Sequence, residues 1–206
     1  GLRGKTLEMA ELLQNDRADV LICQETKVGG SVGSSELFSP GYNVYRKDRD
    51  LHGGGVCIVV SSKLKSSQCT ELDTDCEAIW IKVITSDNSP VYVCSYYRPP
   101  GSPVDTVEML RKPLGIVNAR HRKKPPFVVM CGDLNYPLID WDTQTAPNNR
   151  EGQGFLDIVS DSHLHQMVRS ATRYGNGTAS LLDLVITSYP DLVQNLIVGR
   201  ELSDHC

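Results

Sequence analysis

Short apolar runs follow one another along most of this chain, each too brief for a buried helix and each closed by glycine, proline or polar residues. Such runs are strand signals. They fall at residues 19–25, 42–46, 56–60, 78–84, 91–97, 127–131, 166–168, 181–187 and 196–198. Within 78–84, Ile79, Ile81 and Val83 alternate with Trp80 and Lys82, the period of a strand. Asn88-Ser89-Pro90 lies between two of the runs and suggests a hairpin. Residues 127–131 are apolar without a break, as in a strand covered on both faces. Helical spacing is rarer. Leu7, Ala10, Leu12 and Leu13 give it to residues 5–15, and residues 153–159 suggest a short helix. Residues 103–120 also read as helical, with Pro113 expected to kink or interrupt them.

At least eight strands, mostly in succession, and about three helices predict an α/β chain of the α+β type. The expected architecture is a four-layer sandwich, two packed mixed β-sheets flanked by helices. A length of 206 residues suits one such domain over residues 1–206, and two full ones would be cramped.

Composition narrows the function classes. No apolar run approaches the roughly 18–20 residues that span a bilayer, which argues against a membrane role. The chain opens on Gly1 rather than Met, and residues 1–16 hold no signal-peptide core, so the start reads as a cut edge. A net charge of -4 gives no bulk attraction for a polyanion and counts against high-affinity, non-specific binding, but not against an enzyme whose acidic groups surround a cation. Seven cysteines form no CxxC pair. Cys23, Cys57, Cys94 and Cys131 lie inside the apolar runs and read as buried thiols of an intracellular, reducing setting. In that setting the sequon Asn176-Gly177-Thr178 carries no glycan.

Polar residues recur where the apolar runs end. Residues 19–25 lead into Gln24-Glu25-Thr26, residues 91–97 into Tyr97-Arg98-Pro99-Pro100, and residues 127–131 into Gly132-Asp133-Leu134-Asn135. The chain closes on Leu202-Ser203-Asp204-His205, while Asp183 stands at the start of its run. Each has an ordinary explanation as a solvated strand end, a turn or a surface charge. Gly132-Asp133-Leu134-Asn135 is the most specific, because a carboxylate and an amide two residues apart can face one side. Gly53-Gly54-Gly55 lacks the lysine and hydroxyl residue of a phosphate-cradling loop and reads as a tight turn. Arg120-His121-Arg122-Lys123-Lys124 reads as a solvated basic loop, Trp80 and Trp141 as packing residues. His52, His163 and His165 show no metal-ligand spacing.

The ordered set changes that balance. Gln24-Glu25-Thr26, Gly53-Gly54-Gly55-Val56, Tyr97-Arg98-Pro99-Pro100, Gly132-Asp133-Leu134-Asn135, Leu182-Asp183-Leu184-Val185-Ile186-Thr187 and Ser203-Asp204-His205 resemble the motifs of the endonuclease/exonuclease/phosphatase superfamily. Their order and spacing are most similar to the endonuclease domains of non-LTR retrotransposons. The resemblance implies a divalent-metal-dependent phosphodiester hydrolase that nicks DNA, in the nucleus when acting on it. It implies Mg²⁺, with Mn²⁺ as an alternative, held by Glu25 and Asp204. Asp133 would orient and deprotonate the attacking water, and Asn135 would hold the phosphate or the water. His205, charge-stabilised by Asp183, would donate to a non-bridging oxygen. Tyr97 would hydrogen-bond the phosphate, with Ser180, Ser203 and Thr172 as further polar contacts. A fused reverse transcriptase downstream is the implied partner besides DNA. The resemblance also implies a core strand before Gly1, carrying a metal-site asparagine, and another after Cys206. Residues 1–206 would then be incomplete at both termini, and weakly active or inactive by themselves. Two alternatives remain: a lipid or inositol phosphodiesterase of the same superfamily, and a degenerate, non-catalytic fragment.

Overall fold

In the computed structural model, residues 1–14, 18–121, 124–175 and 177–199 are described, and the chain divides into two compact units, Gly1–Tyr97 and Arg98–Cys206. In the first unit the elements run α1 (Thr6–Gln14), β1 (Val20–Gln24), α2 (Ser34–Leu37), β2 (Tyr42–Lys47), β3 (Val56–Ser61), β4 (Lys65–Gln68), β5 (Glu77–Ile84) and β6 (Pro90–Tyr97). Strand β3 is antiparallel to both β1 and β2, with Val20 opposite Val60 and Tyr42 opposite Ser61. Strands β4, β5 and β6 form an antiparallel meander, with Glu77 opposite Tyr97 and Ile84 opposite Pro90. Asn88, in the left-handed region at φ 62°, closes the β5–β6 turn by donating its N–H to the Thr85 carbonyl.

The alternation of side chains along β3 explains why every one of its residues is buried. Cys57 and Val59 face one way, into a cluster with Leu2, Met9, Leu13, Val28, Leu37 and Phe38. Val56, Ile58 and Val60 face the other way, against Ile79, Ile81, Val83, Val93 and Tyr97. A helix layer, a sheet and a second sheet are thus stacked within this unit. Burial of each large aliphatic side chain contributes about 1.5–3 kcal/mol. Helix α1 presents Met9 and Leu13 to this core, whereas Leu7, predicted for the apolar face, is exposed.

The second unit runs α3 (Glu108–Arg120), β7 (Phe127–Asp133), α4 (Arg150–Asp161), β8 (His165–Gln166), β9 (Arg173–Gly175), β10 (Thr178–Ser180) and β11 (Asp183–Thr187). Strand β11 lies between β7 and β8, antiparallel to both, with Asp183 opposite Asp133 and Ile186 opposite Gln166. Strands β9 and β10 form a separate two-stranded ribbon. Helix α4 starts at Asn149, whose side-chain oxygen accepts the Gly152 N–H, and buries Phe155, Leu156, Ile158 and Val159.

The mixed α/β architecture with several packed sheets and helices agrees with the expectation, and three local readings change. Helix α3 continues through Pro113 and is preceded by a 3-10 turn, Val104–Val107. Pro113 is itself buried with Leu110, Leu114 and Val117, and that burial offsets the lost hydrogen bond. Residues 196–198 form no strand, and Ile197 is 82% exposed. Strand β7 alternates between buried and half-buried residues instead of being fully covered. Among the described residues no helix is long and apolar enough to cross a membrane.

Candidate active-site residues

In the first unit, β1 delivers Glu25 into a strained loop. Glu25 and Lys27 both adopt left-handed backbone, at φ 48° and 51°, on either side of buried Thr26. For such residues this region is unfavourable and must be held from outside. The glycine turn holds it. Thr26 donates its N–H to the Gly55 carbonyl at 3.2 Å and Lys27 to that of Gly54 at 3.0 Å. Gly54 and Gly55 are left-handed as well, and a Cβ at Gly55 would collide with Thr26 Oγ1. The Glu77 carboxylate accepts the Gly55 N–H at 2.7 Å. The tight turn read from the sequence is therefore the clamp of the Glu25 loop.

Two of the expected residues meet here. Tyr97 Oη donates to Glu25 Oε1 at 2.6 Å, and Lys27 Nζ lies 3.0 Å from Glu25 Oε2. The Glu25 side chain keeps 44% of its surface exposed. Gln24 Nε2 donates to Ser95 Oγ, which donates to the Cys23 carbonyl, and these bonds fix β1 against β6. A hard carboxylate oxygen is a ligand type for a small divalent cation, and the Lys27 ammonium, which suits an anion, would have to leave Glu25 for a cation to bind there.

In the second unit, Asp133 ends β7 directly opposite Asp183, which begins β11. Opposed residues of antiparallel strands share a face, with Cα atoms about 4.5–5.5 Å apart. Two carboxylates so placed repel, and Asp133 is only 8% exposed. Asn135 follows on the turn at φ 49°, a region asparagine tolerates. It is the turn, and not strand alternation, that sets Asn135 relative to Asp133. Asn135 Nδ2 donates to the Arg98 carbonyl at 2.9 Å, and Leu134 N–H donates to the Leu182 carbonyl at 2.9 Å.

The weaker candidates act on backbone. Thr172 Oγ1 accepts the N–H groups of Leu182 and Asp183, at 3.2 and 3.0 Å, and so fixes the entry to β11. The Ser180 carbonyl accepts the Thr172 N–H. Ser203, Asp204 and His205 lie outside the described residues. Among the described residues, no group of three or more His, Cys, Asp or Glu side chains is arranged to hold a metal by itself. The residue missed from the sequence is Arg98. Its guanidinium is buried and ion-paired with Glu151. A charged residue straight after a buried strand was the available signal, since a buried charge needs a partner.

A family model described as endonuclease-reverse transcriptase matches residues 91–206. No curated protein matches the sequence. Among solved structures, the chain is similar to the endonuclease domain of TRAS1, a telomere-specific non-LTR retrotransposon. The TM-score is 0.71 at 16% identity, over 99% of this chain and 88% of that one. It is also similar to an AP endonuclease from Archaeoglobus fulgidus, with TM-score 0.63 at 18% identity over 92% and 84%. The 3'-5' exonuclease NExo from Neisseria meningitidis gives TM-score 0.63 at 18% identity over 91% and 83%. At these identities the likeness is one of fold. The family model spans more than half of the sequence, and the chain belongs to the endonuclease-reverse transcriptase family of the endonuclease/exonuclease/phosphatase superfamily.

Proposed function

We propose that the protein is a Mg²⁺-dependent endonuclease that nicks duplex DNA in the nucleus on behalf of a non-LTR retrotransposon. The observation that carries this reading is the opposition of Asp133 and Asp183 across β7 and β11, with the Asn135 amide on the adjoining turn. Like charges directly opposed in a sheet cost stability, and two acidic residues brought together at the ends of paired strands favour a chemical task.

Within the second unit, Asp133 orients the attacking water and takes its proton. Asn135 uses one Nδ2 hydrogen on the Arg98 carbonyl, and its other N–H and its side-chain oxygen serve the phosphate or the water. Asp183 holds and charge-stabilises His205, which donates to a non-bridging oxygen as negative charge builds. Within the first unit, the Tyr97 hydroxyl would turn from Glu25 Oε1 to a phosphate oxygen and Glu25 would hold the cation; Asp204 is proposed as a further ligand from the family resemblance. Mg²⁺, or Mn²⁺ in its place, supplies neutralisation of the developing charge. In-line attack leaves a 5′-phosphate and a 3′-hydroxyl, and that hydroxyl primes synthesis by a fused reverse transcriptase.

Nicking of supercoiled plasmid with Mg²⁺ tests the proposal. Glu25→Ala, Asp133→Asn and His205→Ala are each expected to slow nicking by about 10²-fold or more. If the unaltered protein nicks no faster than Asp133→Asn, the nuclease reading is lost. Faster turnover of a lipid or inositol phosphodiester than of DNA would overturn the substrate class.

A further inference from the structure

We infer that Arg98 and Glu151 are positioning residues for the Asp133-Leu134-Asn135 turn, setting the geometry of the water-activating carboxylate and the phosphate-binding amide without touching substrate. The inference rests on the nuclease reading and deepens it. Arg98 meets the turn three times. Its backbone N–H donates to the Asp133 carbonyl at 2.9 Å, its own carbonyl accepts from Asn135 Nδ2 at 2.9 Å, and its Nη1 donates to the Asn135 carbonyl at 3.0 Å. These bonds bracket Leu134, which is completely buried. A left-handed asparagine between fixed neighbours has little freedom, and its amide plane is then set by Arg98.

The guanidinium is anchored in turn from α4. Its Nη2 is ion-paired with Glu151 Oε2 and also donates to the Ser102 carbonyl at 3.4 Å. Glu151 stands in the first turn of α4, where the helix dipole favours a carboxylate. The guanidinium carbon lies 4.5 Å from the Tyr136 ring centroid, and Tyr136 stacks on Phe155 of α4 at 4.5 Å and 14°. Arg98 is 3% exposed, so these partners define its position. Only a planar fork of several donors can serve a carboxylate and two carbonyls while lying on a ring, and lysine cannot. The first turn of α4 is thereby connected through one side chain to the backbone on which Asp133 and Asn135 stand.

The test compares Glu151→Ala, Glu151→Gln and Arg98→Lys by nicking kinetics, by amide hydrogen exchange over residues 133–136, and by Tm. Glu151→Ala and Arg98→Lys are expected to lower kcat about tenfold to a hundredfold with KM within about twofold, because a misplacement of about 1 Å costs that much. Glu151→Gln, which still accepts a hydrogen bond, is expected to recover most of kcat. Exchange at Leu134 and Asn135 should quicken at least tenfold in Glu151→Ala, while exchange in β5 and β6 stays unchanged. Glu151 is only partly buried, so its variants fold even if Arg98→Lys does not. Unchanged kcat in Glu151→Ala, or unchanged exchange over 133–136, overturns the inference. So does a kcat loss that disappears at a temperature well below Tm. Should the unaltered protein fail to nick, the nuclease reading falls, while the exchange experiment still decides whether this ion pair holds the turn.

Discussion

Burial pushes the Cys23 and Cys131 thiols up to about 12, and Cys57 is raised by the same cause. In an unfolded chain these thiols ionise near 9. Between those values the unfolded state loses protons that the folded state keeps, so stability is full below about pH 9 and declines as the pH climbs toward 12. Urea midpoints measured from pH 8 to 10.5 should fall, and the fall should be shallower in Cys23→Ala than in the unaltered protein; identical slopes would mean the thiol is not shielded in the folded state. At the Asn135 position, glycine keeps the left-handed backbone without strain, whereas alanine adds roughly 1 kcal/mol of it. Asn135→Gly is therefore expected to fold nearly as well as the unaltered protein yet nick poorly, and Asn135→Ala to be less stable by that amount in urea unfolding. Glu25, Asp133 and Asn135 were legible in the sequence because each is a polar residue closing an apolar run. The left-handed backbone at Glu25 and Lys27 was not, since φ leaves no mark on residue type there. Nor was the task of Arg98, because its partner Glu151 lies far along the chain.

Strands that were legible as elements are those whose residues must leave water. The apolar stretch that became β3 lost all exposure on both faces, and β5, read as alternating, buries residues 78–81 without a break and alternates only from Ile81 to Ile84. Strand β4, Lys65-Ser66-Ser67-Gln68, is mostly exposed, pairs among the described residues with β5 alone and left no apolar trace. The β9–β10 ribbon is equally polar and short. Residues 196–198 show the converse: an apolar triplet is no strand without a partner ladder. Truncation in the doubly covered strand should be severe. Ile58→Ala is expected to destabilise by about 2–5 kcal/mol in urea unfolding, through lost contacts and a residual cavity. At the start of α4 the effect is smaller, and Asn149→Ala should remove about 1 kcal/mol with the Gly152 cap. If the two substitutions prove equal, the distribution of packing described for β3 is wrong.

For the whole molecule, order proved more informative than any single motif. No segment by itself distinguished a hydrolase from a solvated surface, whereas six segments in sequence matched a superfamily that the family model and the fold then bore out. What the sequence lacked was the division into two compact units, with Glu25 and Tyr97 paired in one and Asp133 opposed to Asp183 in the other. That division has a measurable side through the strands at the middle of each ladder. The amides of β3 are flanked by β1 and β2, and those of β11 by β7 and β8. Such protons escape to heavy water only when their whole surroundings open. Val59 and Ile186 are thus built-in clocks, one per half of the chain. Matching deuteration times would mean the halves melt as one body, and unequal times would reveal which of them yields first.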